Sequence, residues 1–356
     1  MAHPRARGDR PVPGRIPRSG GDGVTDLPPF TRGLHDLGGG CHAWLEPPGG
    51  WGYANSGVVL GTDEVLVVDT QNDLALGTAL RAAVDVVAGH RAVTTVVNTH
   101  SDGDHWNGNL LYEGARIIAS EATVGEMKAM WLEPDRMAEL ARGDTAFGRF
   151  IAWRIATFDF NGWRPVLPTE SFSGGEHLVL GDQEVELVEV GPAHTRGDTI
   201  VHVPSAGVVY AGDVLFTEST PIVWAGPVTR CIAALDRVLD RDPRIVVPGH
   251  GPVVRPADVM IVRNYFEFLL EFATGAHRAG KTPAEAYSAL DLGPYARWPH
   301  ASRAYQNILA VYRELDPEFP AVPPPQALEV VLADDDGTWT AGPGCGHTHS
   351  TAGPGA

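Results

Sequence analysis

Long apolar runs are missing from this sequence. No stretch approaches the roughly 18 apolar residues that a membrane span needs, so a membrane is not an expected partner. Cysteine is scarce. Cys41, Cys231 and Cys345 are the three in 356 residues, widely spaced and odd in number. They make neither a disulfide framework nor a Cys-x-x-Cys metal knuckle, and such usage fits a reducing, cytoplasmic setting. Positive charge is in short supply too: Lys and Arg total 27 against 44 Asp and Glu, a net charge of −17. Phosphate binding needs clustered Lys and Arg, so nucleic acid is not an expected partner. Arg5, Arg7, Arg10, Arg15 and Arg18 lie near the start, but no apolar segment follows them and they do not read as a secretory signal. Self-association into a homo-oligomer stays open.

What is present is a core-forming chain, 43% hydrophobic. Residues 1–28, rich in Arg, Gly and Pro without periodicity, read as a disordered leader. β-like runs follow at Cys41–Leu45 and Ser56–Leu60. The apolar run from Glu64 reads as a buried strand ending at Asp69, and Thr94–Val97 reads as another. A helix is expected from Leu74 to Ala88, stopping at Gly89, and a strand at Ala115–Ala119. Glu121 to Phe150 has helical spacing broken at Pro134 and Gly143. Its Met127, Met130, Trp131 and Met137 suit a substrate pocket or, more commonly, ordinary core. Strands are expected at Leu178–Leu180, Val185–Val190, Thr199–Val203, Val208–Ala211 and Ile245–Val247, with a helix at Thr229–Leu239. Helices then cover about 257–275, 283–291 and 300–315. A Pro-rich break at Pro317–Pro325 precedes an edge strand at Leu328–Leu332. His347 and His349, near Cys345, fit a floppy polar tail better than a metal cluster. Strands alternating with helices in two blocks imply two sheets covered by helices.

The chemistry gathers at four islands, each at a strand-to-loop junction. The first is Asn98-Thr99-His100-Ser101-Asp102-Gly103-Asp104-His105-Trp106-Asn107-Gly108-Asn109. Four potential metal ligands fall within six residues there, and imidazole with carboxylate suits Zn, Fe or Mn. The others are Gly191-Pro192-Ala193-His194-Thr195-Arg196-Gly197-Asp198, Gly212-Asp213 and Pro248-Gly249-His250-Gly251. Glycine beside each candidate lets the backbone turn tightly or approach a bound species. Asp69, at a strand end, suits either an acceptor for a ligand histidine's other N–H or the N-terminal region of the following helix. Asn107-Gly108-Asn109 suits turn chemistry as well as substrate contact.

Together these islands resemble the metallo-β-lactamase-fold superfamily over roughly Phe30 to Pro256. The resemblance implies an α/β protein: a four-layer αβ/βα sandwich at 29–256, a C-terminal helical extension at 257–316 and a Pro/Gly-rich tail at 317–356. It implies one metal held by His100, Asp102 and His194, a second by Asp104, His105 and His250, and Asp213 bridging both. Two divalent ions are expected, zinc first, with Fe or Mn as alternatives. The family's first motif reads His-x-His-x-Asp-His, and Asp102 replaces its second histidine. Either Asp102 reaches the metal and makes a harder, oxygen-rich site, or it falls short and the first site is weak.

The implied activity is hydrolysis. A metal-bound hydroxide would attack a small ester, thioester or lactone, with Asp104 as proton acceptor and Trp106, Asn107 and Asn109 near the substrate. Two alternatives are an iron-dependent oxidoreductase of the same fold, working on dioxygen or sulfur, and a non-catalytic metal-binding relative.

Overall fold

The computed structural model describes residues 26–130 and 134–333. Most of the expected leader, Trp131, and the tail with Cys345, His347 and His349 lie outside the described residues. In chain order the first half contains β1 (Gly33–Gly38), β2 (Cys41–Leu45), β3 (Ser56–Leu60), β4 (Glu64–Val68), α1 (Leu74–Ala88), β5 (Ala92–Val97), α2 (Gly103–Trp106), β6 (Arg116–Ser120), α3 (Glu121–Met130), α4 (Pro134–Leu140), α5 (Ala146–Thr157) and β7 (Glu170–Phe172). The second half contains β8 (Gly175–Leu180), β9 (Gln183–Glu189), β10 (Thr199–Val203), β11 (Val208–Phe216), α6 (Val228–Leu239), β12 (Ile245–His250), α7 (Pro256–Arg278), α8 (Pro283–Ser288), α9 (Ala304–Leu315) and α10 (Pro324–Ala333).

Among the described residues, β1 to β7 form one sheet in sequence order, and the other runs β12-β11-β10-β9-β8. β4, β5, β6 and β7 pair in parallel, and so do β11 and β12. The remaining neighbours are antiparallel. The period-2 side-chain alternation of a strand explains why β4 is apolar throughout. Leu66 and Val68 face the other sheet, packing with Leu187, Val201, Tyr210 and Val247. Val65 and Val67 face outward under Leu80, Val84 and Ala88 of α1. β11 repeats this: Val208 and Tyr210 point between the sheets, while Val209 and Ala211 meet α6, α7 and α9. The result is the expected αβ/βα sandwich with helices packed beyond it.

Two edge strands, β1 and the short β7, add to the expected set. The edge strand expected at Leu328–Leu332 is corrected: those residues belong to α10. Leu328, Val331 and Leu332 recur at i, i+3 and i+4 and pack with Phe150 and Ile151 of α5. Glu329 then accepts from the backbone N–H groups of Ala146 (2.8 Å) and Phe147 (3.0 Å), donors left open at the start of α5. Among the described residues no helix is long and apolar enough to cross a membrane.

Candidate metal centre

The sheet topology brings the four islands to one edge of the sandwich, with the His194 island in the connection between the antiparallel β9 and β10. β5 delivers the His/Asp loop, and β11 and β12 carry Asp213 and His250. The loop is fastened at its base. Asn98 and Asn109 exchange amide hydrogen bonds at 3.1 and 2.9 Å, and Asp69 accepts from Thr99 N (2.8 Å) and Thr99 Oγ1 (2.7 Å).

Each histidine of the centre is oriented through Nδ1. His105 Nδ1 meets Asp69 Oδ2 at 2.8 Å, His194 Nδ1 the Ile222 carbonyl at 2.7 Å, and His250 Nδ1 the Tyr53 carbonyl at 3.1 Å. His100 Nδ1 lies 2.9 Å from Thr99 Oγ1. That hydroxyl gives its proton to Asp69, so it accepts from the imidazole. A ring whose Nδ1–H is engaged presents an Nε2 lone pair, the arrangement of metal-bound histidine. Asp69 is thus the partner of His105, and Asp73 caps α1 instead, accepting from Leu76 N at 2.7 Å.

The four Nε2 atoms converge on Asp213. They lie 3.2 Å (His105) from Oδ1, and 3.3 Å (His250), 3.4 Å (His194) and 3.7 Å (His100) from Oδ2. Asp102 Oδ2 is 3.2 Å from His194 Nε2, and Asp104 Oδ2 is 3.5 Å from His250 Nε2. His100, Asp102, His194 and Asp213 offer ligand atoms within 4.8 Å of one another, and Asp104, His105 and His250 do the same. The Asp102 side chain therefore reaches its group. Gly249 makes the crowding feasible: a Cβ there would stand 1.9 Å from Asp213 Oδ1.

His100 Nε2, His105 Nε2 and Asp213 Oδ1 are buried without hydrogen-bond partners. Buried polar atoms without partners are costly, and a divalent cation supplies what they lack, so the donor set fits one. The protonation tendencies reflect close packing of charge. Burial, then the neighbouring His105, brings His100 down to about 4. Burial also opposes charge on His194, but the Asp102 hydrogen bond and the Asp213 carboxylate hold it up at about 9. Burial would raise Asp102, yet the His194 hydrogen bond and charge bring it to about 2.

Above the centre opens a cavity of about 300 Å³, lined by aromatic groups including Trp51, Phe150, Trp163 and Trp224. Trp106 and Asn107 line it, and so do Met127 and Met137, for which ordinary core is the commoner expectation. Asn109 is corrected: it is fully buried, holds Asn98 and the Val166 carbonyl, and does not line the cavity. The substrate side also includes residues that the motifs did not point to. Trp224 donates from Nε1 to Asp102 Oδ2 at 3.2 Å. The Arg303 guanidinium lies 4.0 Å over the Trp51 ring and 5.4 Å over Phe216, whose ring stacks on His250 at 5.1 Å. These partners come from segments far apart in the chain, and no motif marks them.

The family model described as the metallo-beta-lactamase superfamily matches residues 49–250, which hold every ligand candidate. The chain belongs to the metallo-beta-lactamase superfamily. Within this superfamily it is similar to the acyl-coenzyme A thioesterase MBLAC2 of Gallus gallus, 26% identical over 219 residues, 55% of this chain and 72% of that protein. The Bos taurus protein of the same name is 28% identical over 226 residues, with the same coverage. Among solved structures it resembles the inverting sec-alkylsulfatase Pisa1 from Pseudomonas sp., with TM-score 0.60 and 16% identity over 82% of this chain. The match spans about half of that longer chain, 52%. A metallo-beta-lactamase from Pontibacter korlensis matches with TM-score 0.50 and 16% identity, over 67% of this chain and 99% of its own. These structural likenesses concern the fold.

Proposed function

We propose that this metallo-hydrolase cleaves a small thioester or ester, thioester first, at a centre of two divalent ions, zinc before iron or manganese. His100, Asp102 and His194 would hold one ion and Asp104, His105 and His250 the other, with Asp213 shared. The observation that carries this is the convergence of both donor groups on Asp213 at the floor of an aromatic cavity. The similarity to proteins named acyl-coenzyme A thioesterases supports ranking thioesters ahead of lactones in this proposal. Bound divalent ions supply Lewis acidity: they make water nucleophilic near neutrality and polarise the carbonyl under attack.

The chain's own residues do the rest. Asp104 lines the cavity beside His250 and is placed to accept a proton from the attacking water and return it to the leaving group. The four Nδ1 hydrogen bonds hold the imidazoles in one tautomer. Trp224 fixes the rotamer of Asp102 by donating to it. Trp51, Phe150 and Trp163 keep bulk water from the acyl group.

The test is elemental analysis of protein purified without added metal, joined to a panel of thioesters, esters and lactones before and after chelation. Metal-dependent turnover supports the proposal, and no turnover by metal-replete protein overturns it. The extra carboxylate at Asp102 favours one second reading, iron-based oxidation, because oxygen donors suit harder ions. Stoichiometric iron without hydrolysis would select it.

A further inference from the structure

Arg154 takes no part in the centre as described. It sits in the last turn of α5 and lines the cavity. Its Nη2 donates to Asn72 Oδ1 at 2.9 Å. Among the described residues that is its hydrogen bond, and no carboxylate forms an ion pair with it. Asn72 is itself fully buried, and its carbonyl accepts from Asn107 Nδ2 at 2.9 Å, so the anchor of Arg154 is tied to the metal loop. The charges that face the guanidinium are those of Asp104 and Asp102, both metal-ligand candidates. With two divalent ions seated, the charges of Asp102, Asp104 and Asp213 are outweighed by the ions. Arg154 is then a cation facing a cavity without spare negative charge. A guanidinium is always protonated, and its planar fork matches the paired oxygens of an anion. Phe160, Trp163 and Met137 line the same cavity and supply apolar wall. Arg303, which also lines the cavity, is clamped between two aromatic rings and donates to the Thr220 carbonyl at 3.0 Å.

We propose that Arg154 determines substrate specificity by pairing with an anionic group on an otherwise aromatic or alkyl acyl substrate. The enzyme would thereby select anionic amphiphiles over neutral esters of the same shape. The inference rests on the hydrolase reading for turnover but not for binding, and the two are tested separately.

Binding is measured on the metal-loaded protein by quenching of the cavity tryptophans. The ligands are 3-phenylpropane-1-sulfonate and 3-phenylpropan-1-ol, matched in body and differing in charge, the sulfonate being a poor metal ligand. The wild type is expected to bind the sulfonate about tenfold more tightly, the scale of a hydrogen bond to a charged group. That ratio should collapse toward one in Arg154→Met and survive in part in Arg154→Lys. A merely structural loss would weaken both ligands alike and leave the ratio standing. An unchanged ratio in Arg154→Met overturns the proposal. In parallel, the ratio of kcat/KM for mono-4-nitrophenyl glutarate over 4-nitrophenyl butyrate should fall in Arg154→Met, through KM for the anionic ester. If neither ester turns over while the sulfonate ratio depends on Arg154, the hydrolase reading fails and the anion subsite stands. If both esters turn over with a ratio indifferent to Arg154, the subsite falls and the hydrolase reading stands.

Discussion

Asp213 couples the two donor groups, since the four imidazoles lie 3.2 to 3.7 Å from its carboxylate. Asp213→Ala should therefore lower metal content as well as turnover, and elemental analysis beside a rate assay would show both; full metal occupancy in the variant would contradict the shared role. His194 gives a pH signature in chelator-treated protein. Its folded pKa of about 9 lies above the unfolded value, so its stabilisation is complete below about pH 6.5 and lost as the pH rises through 9. His100 and Asp102, at about 4 and about 2, are already deprotonated above pH 7. The melting temperature of the metal-free protein should thus fall between pH 7 and 9, while metal-loaded protein, its Nε2 lone pairs occupied, should not follow. Cys41 is buried, and burial pushes its thiol up to about 12; Cys231 is raised by burial likewise. Both should resist thiol reagents at pH 8 in native protein and react once it is unfolded, as peptide mass mapping would reveal.

At the scale of elements, the β11–β12 pair matters most to the centre, because it sets Asp213 beside His250 with Gly249 close against the carboxylate. A methyl group at Gly249 would meet Asp213 Oδ1 at 1.9 Å and the Gly212 backbone at 2.8 Å. Gly249→Ala should keep its circular dichroism yet lose metal and turnover. α10 makes a different contribution. Leu332 is buried against α5, so Leu332→Ala should cost about 2–3 kcal/mol in denaturant unfolding. An effect below about 0.5 kcal/mol would mean that the helix is not seated as described. The sequence misread this helix because Leu328 to Leu332 is nearly all apolar over a few residues, a length at which strand and helix look alike. β1 and β7 escaped notice for the opposite reason. They lie at sheet edges and carry Asp36, His35, Glu170 and Ser171 where a buried strand would carry Val or Ile.

For the whole molecule, the sandwich was legible because its central strands are buried on both faces and read as unbroken β-branched runs. The candidate ligands were legible because they sit beside glycines at strand ends. Asn109 was misjudged because an amide in a turn and an amide facing substrate look the same in one dimension. Arg154, Trp224 and Arg303 could not be gathered, since only the fold brings them over one cavity. A further consequence follows from Glu329, which fastens α10 to the start of α5 across 183 residues of chain. During synthesis the ligand-bearing strands leave the ribosome well before Leu328, which completes the cavity wall. A nascent chain should therefore be able to capture metal before it can shelter a substrate. Docking of α10 against α5, rather than folding of the sandwich, would then mark the moment at which the cavity wall is complete.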